Sequence, residues 1–282
     1  MPVMCRAAVL VAVLVCASPA LVAQWARHPT PNVPRGADGR PDLNAPAPRM
    51  PDGKPDFSGV WENPGWRELQ RRTASGTGGN PGQAAALTPD TRIFFDIGSA
   101  VPGGLPLQPW AADLRRARMA ANSKDNPDAH CLPLGNMQLH THPEPRKIVQ
   151  TTGLIVILYE ANGGVRQIFL DGRRVPPVDD AQPWWYGYSV GRWEGDTLVV
   201  ETAGFRDGGW LDVQGSPLTD RARTVERITR PSVGTLDMQI TVDDPKAYTR
   251  PWTVSIRHRL MADDELIEYI CAENEKSSAH YR

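Results

Sequence analysis

Along the second half of the chain, apolar and polar residues alternate with a period of two. Leu236, Met238, Ile240 and Val242 fall on one side, against Asp237, Gln239 and Thr241. Trp252, Val254, Ile256, His258 and Leu260 do the same against Thr253, Ser255, Arg257 and Arg259. Successive strand side chains point to opposite faces, so this pattern predicts antiparallel sheet with one buried and one wet face. Apolar runs separated by turn residues predict hairpins. These are 154–160 with 165–171 about Asn162-Gly163-Gly164, 186–193 with 197–203 about Glu194-Gly195-Asp196, and 224–229 with 235–242. A last hairpin joins 252–260 to 265–271. Asn and Gly accept the positive φ that tight hairpin turns need.

Consecutive hairpins without crossover helices favour an up-and-down arrangement. With strands near Trp61 and Val149 added, about 8–10 strands result, and closure would remove their exposed edges. The expected fold is mainly β, an antiparallel up-and-down lipocalin-like barrel, with a two-sheet β-sandwich as the alternative. Gly59-Val60-Trp61 in the first strand resembles the opening strand of lipocalin-like barrels, where the Trp plugs one end.

A different period marks an insertion around 88–122. Thr88-Pro89 reads as an N-cap and first helical position for a segment to about Ile97. Pro109 opens a second helix to Ala121, with Trp110, Leu114, Ala117 and Ala121 on one face and Arg115, Arg116 and Arg118 opposite. Asn122 is its stop. Residues 24–56 are dense in Pro, Gly and Asp without apolar periodicity, which predicts an extended arm. The expected organisation is therefore 1–23 as a signal peptide, 24–56 as the arm, and 57–282 as a single β domain.

Arg6, the apolar run Ala7 to Val15 and the small residues leading to Ala23 have the three parts of a secretory signal, with cleavage before Gln24. The apolar run is shorter than the roughly 20 residues that span a bilayer. Export to the periplasm or beyond follows, and it changes the meaning of the four cysteines. Cys5 and Cys16 leave with the signal, and Cys131 and Cys271 remain in an oxidising compartment, where a disulfide is expected. Two buried free thiols are the alternative. The formal charge of −1, with no basic run, argues against nucleic acid and anionic membrane surfaces as partners.

Several segments look familiar. They are Ala47-Pro-Arg-Met-Pro-Asp-Gly-Lys-Pro-Asp-Phe-Ser-Gly-Val-Trp61, His130-Cys-Leu-Pro133, Arg166-Gln-Ile-Phe-Leu-Asp-Gly-Arg173, Gly187 through Val200, and Glu268-Tyr-Ile-Cys-Ala-Glu-Asn274. In these the chain resembles a large family of secreted bacterial proteins, found especially in soil bacteria, with no established activity. The resemblance covers nearly the whole mature chain and implies one continuous unit. It carries no catalytic residues across. The chain departs from it at His140-Thr141-His142.

Candidate chemistry is sparse. His140 and His142, if extended, would present both imidazoles on one face and share a metal with His130 or Glu144; the neighbouring Pro143 and Pro145 favour ordinary loop histidines instead. His258 falls on the apolar face of its strand, so it is either a satisfied core histidine or an acid–base group in a cavity. Its carboxylate partner would be Glu226 or Glu201, with Glu268 another strand carboxylate. Arg166, between apolar neighbours, is a candidate counter-ion. Trp184, Trp185, Tyr186 and Tyr188 follow a Pro-rich loop and suit either a ligand-binding mouth or core filling. No nucleophile elbow, phosphate loop, HExxH or dinucleotide fingerprint occurs.

These observations favour a barrel that binds a small, partly apolar organic molecule, with Arg166, Trp184, Trp185, Tyr188 and His258 around it. The alternatives are a hydrolase, lyase or isomerase using His258 with Glu226 or Glu201, and a structural or interaction protein with a filled core. No cofactor is called for, and the oligomeric state is open.

Overall fold

The computed structural model describes residues 28–66, 89–180 and 182–273. The signal-peptide reading of 1–23 and the Thr88 cap lie outside them. The alternating segments form nine strands of a closed barrel: β1 (Gly59–Glu62), β2 (Arg146–Gln150), β3 (Leu154–Tyr159), β4 (Val165–Phe169), β5 (Tyr188–Glu194), β6 (Thr197–Ala203), β9 (Arg223–Ser232), β10 (Thr235–Asp243) and β11 (Trp252–Leu260). Between β6 and β9 lies a separate two-stranded ribbon, β7 (Gly209–Trp210) and β8 (Pro217–Leu218). Around the barrel the order is β1-β11-β10-β9-β6-β5-β4-β3-β2. The register sets Leu236 beside His258, Met238 beside Ile256 and Ile240 beside Val254, so both alternating faces read from the sequence line one interior.

Two expectations need correction. The arrangement is not purely up-and-down, because β4 and β5 run parallel, joined by the crossover 170–187. The strand expected at 265–271 does not form, and Ile267 and Ile270 there are exposed. The physical reason is closure: β11 already has β10 on one edge and β1 on the other, with Leu260 opposite Trp61. No edge is left for another strand to join.

One end of the barrel is plugged by Trp61, whose indole donates to the Phe57 carbonyl across 2.9 Å. The Arg230 guanidinium lies 4.8 Å from its ring centre and donates to the carbonyls of Asp56, Ser58, Ser232 and Val233. Gly59 sits at φ 142, and a Cβ there would meet Leu260 at 2.6 Å, which explains the Gly in the Gly-x-Trp element.

The arm wraps this plugged end, and its sequence holds a tandem repeat that the composition reading overlooked. Pro34-Arg35…Asp38-Gly39-Arg40-Pro41-Asp42 is echoed by Pro48-Arg49…Asp52-Gly53-Lys54-Pro55-Asp56. Each copy folds into the same small turn, with Arg35 reaching the Gly39 carbonyl and Arg49 the Gly53 carbonyl. The same arginines then clamp barrel turns: Arg35 holds Asp263 beyond β11, and Arg49 holds Asp196 between β5 and β6.

The opposite end is covered by the segment 89–145, which runs well past the insertion expected around 88–122. It contains α1 (Pro89–Phe95), α2 (Pro109–Ala120) and α3 (Asn136–Thr141). Helix α1 ends before Ile97, which opens a 3-10 turn capped by Asp96. In α2 the buried position is Ala111; Trp110 and Ala117 are exposed, so the expected apolar face is not the packed one. Trp110 instead donates to the Lys246 carbonyl across 2.8 Å. Asn122, at φ 53, ends the helix as expected. Helix α3 was not legible, and every one of its six residues is buried. The Cys131–Cys271 disulfide is formed and ties the segment preceding α3 to the chain beyond β11. A disulfide fits an oxidising compartment. Among the described residues no helix is long and apolar enough to cross a membrane.

Candidate functional site

The insertion places α3 over the barrel with His140 pointing down into it, and polar side chains from five inward strand positions rise to meet it. They are Arg146 on β2, Tyr159 on β3, Arg166 on β4, Glu226 on β9 and His258 on β11, none more than 3 % exposed. Each shares the inward parity of its strand: Arg146 with Ile148, Tyr159 with Ile157, Arg166 with Ile168, Glu226 with Ile228. Hydrophobic neighbours carry the packing, so these positions bring charge into a place where bare charge is very costly.

Arg166 and Glu226 form the centre. Nη1 of Arg166 donates to both Glu226 oxygens, at 3.0 and 2.9 Å. Its Nε donates to Ser189 and its Nη2 to Thr202, both at 3.0 Å. Burial pushes the Glu226 carboxyl up, but the Arg166 charge and His140 outweigh it and hold the group down at about 2. His140 Nε2 stands 3.4 Å from Glu226 and 3.3 Å from Arg166. Burial, reinforced by both arginines and only partly opposed by Glu226, moves His140 below the ordinary histidine value.

Arg146 and His258 form the second half. Nη1 of Arg146 donates to the His140 carbonyl at 2.8 Å and stands 2.6 Å from His258 Nε2, which is itself 2.8 Å from that carbonyl. Its Nη2 donates to the carbonyls of His142 and Glu144 at 3.2 and 3.3 Å. The His140 and His142 carbonyls lie at the C-terminal end of α3, where a cation is favoured. Burial brings Arg146 down to about 10, which leaves it charged at neutral pH. Burial and then the Arg146 charge hold His258 well below its usual range, so it is neutral. Tyr159 lies across from Arg146 in the register, and burial raises its hydroxyl.

Several of these atoms have no partner. Arg146 Nε, Tyr159 Oη, His140 Nδ1, His258 Nδ1, Thr224 Oγ1 on β9 and both amide atoms of Gln138 on α3 are buried without a hydrogen bond. The Tyr159 hydroxyl is near Arg166 but meets no hydrogen-bond geometry. Native interiors leave few such atoms, and a concentration of them marks where something else completes the set.

The residues singled out from the sequence divide clearly. His258, Glu226 and Arg166 are inside the barrel, but the carboxylate's imidazole is His140, while His258 faces Arg146. Glu201 is on the outer face with Arg192, so it cannot pair with His258. Trp184 and Tyr188 meet at 5.4 Å between ring centres, yet on the outside: Tyr188 stacks on Phe169 and accepts from Arg173, and Ser189 takes the inward place. Trp185 lies under Arg206. His140 and His142 are buried rather than loop histidines on the surface, and they go to different carboxylates. His142 contacts Glu144, with Asp128 at 3.7 Å on its other nitrogen. Burial lowers its affinity for a proton, but these two carboxylates outweigh it and raise the value. Among the described residues no three His, Cys, Asp or Glu side chains are grouped to hold a metal.

Arg146, Tyr159 and Gln138 were missed. The only available signal was parity: Arg146 and Tyr159 each sit one alternation step from inward isoleucines. Two grooves lie outside the barrel, one of about 640 Å³ along the wet face near Asp237 and Arg257, the other of about 470 Å³ between the arm and β1–β2. Neither includes the buried constellation. Fold and site define a closed β-barrel with a charged, helix-covered interior. No protein-family model, curated protein or solved structure matches the chain.

Proposed function

We propose that this chain is an exported lipocalin-like barrel that binds a small, partly apolar organic molecule beneath α3. The observation that carries the reading is the group of unpartnered buried polar atoms around Arg146, Tyr159, His140 and His258. Leaving a buried donor or acceptor unmade costs about 1–3 kcal/mol each, so a chain that keeps several together gains if a ligand engages them. The aliphatic residues below, including Ile157, Val200, Ile240 and Val254, suit the apolar part of such a molecule. The signal-like residues 1–23 and the resemblance to a secreted family support export. Because α3 is buried, ligand entry requires it to lift.

Native mass spectrometry of the mature protein from an oxidising periplasm tests the reading. A stoichiometric organic adduct that is lost in a Tyr159→Phe variant supports it. A bare polypeptide that also fails to take up any of a panel of small apolar acids, amides and amines removes it.

A further inference from the structure

His142 closes α3 at its C-terminal end, and its two ring nitrogens meet carboxylates from different segments. Nδ1 contacts Glu144, which leads into β2, and Nε2 stands 3.7 Å from Asp128 in the 3-10 turn Pro127–His130. The imidazole is buried, with the Phe94 ring of α1 edge-on at 5.0 Å. Neither ring nitrogen has the geometry of a formed hydrogen bond, so what joins the three side chains is charge.

Asp128 is fixed from its other side. Its Oδ1 accepts from Asn162, between β3 and β4, at 2.9 Å, and its turn leads directly into Cys131 of the disulfide. The His142–Asp128 contact therefore joins the end of α3 to the barrel rim, and only an imidazolium makes it attractive. With His142 neutral, Asp128 and Glu144 are like charges pressing on each other across the ring. Arg146 does not take its place, because that guanidinium serves the main-chain carbonyls of His140, His142 and Glu144. The other titratable groups around the cluster do not replace it either. Glu160 and Tyr269 feel the same carboxylates but are not cations, and His130 turns its ring to the Lys124 carbonyl.

We infer that His142 is a pH-dependent latch on the cover: its protonation holds α3 down, and its deprotonation frees α3 to lift. This goes beyond ligand binding and stands or falls whatever the interior receives. The direction comes from the two carboxylates, which outweigh burial and raise the His142 value above the ordinary 6.5. A group raised in the folded state contributes fully below its ordinary value and loses that contribution as pH rises through the raised one. The cover is therefore tightest in mild acid and loosens on the alkaline side.

The full, disulfide-bonded chain tests this between about pH 6 and about pH 8.5, through the His142 ¹⁵N shifts and amide exchange corrected for its intrinsic pH dependence. The reporting amide is that of Leu139 in α3, bonded to the Gly135 carbonyl, with amides of β9 and β10 as the reference. Protection of Leu139 relative to that reference should fall about fivefold, the size of one partly buried ion pair, with the midpoint of the His142 titration. His142→Gln and Asp128→Asn should each remove the fall, and where one of them does not fold the other decides. A ratio that stays constant across the range overturns the latch. So does a fall that survives in either folded variant, as one driven by Arg146, whose value is about 10, would.

Discussion

Arg146 and His258 meet inside the barrel with Nη1 of one 2.6 Å from Nε2 of the other. The same guanidinium nitrogen reaches the His140 carbonyl, and His258 Nε2 lies 2.8 Å from that carbonyl as well, so the three groups converge at one point. An ordinary histidine, with a value near 6.5, is mostly charged by pH 5.5. His258, held down by burial and by Arg146, should remain neutral there. Histidine ¹⁵N shifts measured from pH 8 to 5 report this directly. Titration near 6.5 would show that the burial beside Arg146 is not kept in solution.

Glu226 gives the fold an acid limit. Its folded value is depressed to about 2 against an ordinary 4.5, so its contribution is full above about pH 4.5 and disappears as pH falls toward 2. Glu226→Gln should flatten the stability profile in that window. At neutral pH it should cost about 3–5 kcal/mol, because Arg166 is left buried without its counter-ion. Urea unfolding at pH 7 and pH 3 checks both parts; a variant as stable as the parent at pH 7 and still acid-sensitive would sink the assignment.

The barrel was legible because its signal is local: period two, turn residues and the Gly-x-Trp element each report on a few neighbouring positions. The site was legible only in part, for the same reason. His258, Glu226 and Arg166 stand out as polar residues at inward parity, but which of them touch depends on shear around the barrel. His140 was misplaced because α3 is too short to show a helical period and its polar residues read as a surface loop. The false strand at 265–271 had good alternation; only barrel closure, a non-local property, denies it a partner. Glu201 alternates as well as Glu226 does, and the sequence alone did not tell which face was wet.

Arg230 ties the plugged end together. It is buried and its nitrogens serve four main-chain carbonyls on both the chain entering β1 and the β9–β10 turn, while its face covers Trp61. Arg230→Leu keeps bulk but removes every donor. With carbonyls left unserved and the cation–π contact gone, a loss of about 2–4 kcal/mol in urea unfolding is expected. Arg230→Lys should recover only part of it, since an ammonium cannot span the same carbonyls. Full recovery by lysine would mean that charge, not the fork of donors, holds this end.

The disulfide acts on the covered end. Cys131 lies five positions before α3, and its partner Cys271 belongs to the exposed chain beyond β11, with 140 residues between them in sequence. Closing so long a loop restricts the unfolded chain, worth about 4–5 kcal/mol in the chain-entropy description. Replacing both cysteines by serine should therefore lower stability by that order while leaving the barrel intact, because no strand of the closed sheet contains either residue. The native consequence should be local. Amide exchange in α3 should quicken relative to β9 and β10, since the anchor beside the cover is gone. Equal exchange in α3 before and after reduction would show that its own buried side chains, and not the disulfide, keep the interior covered.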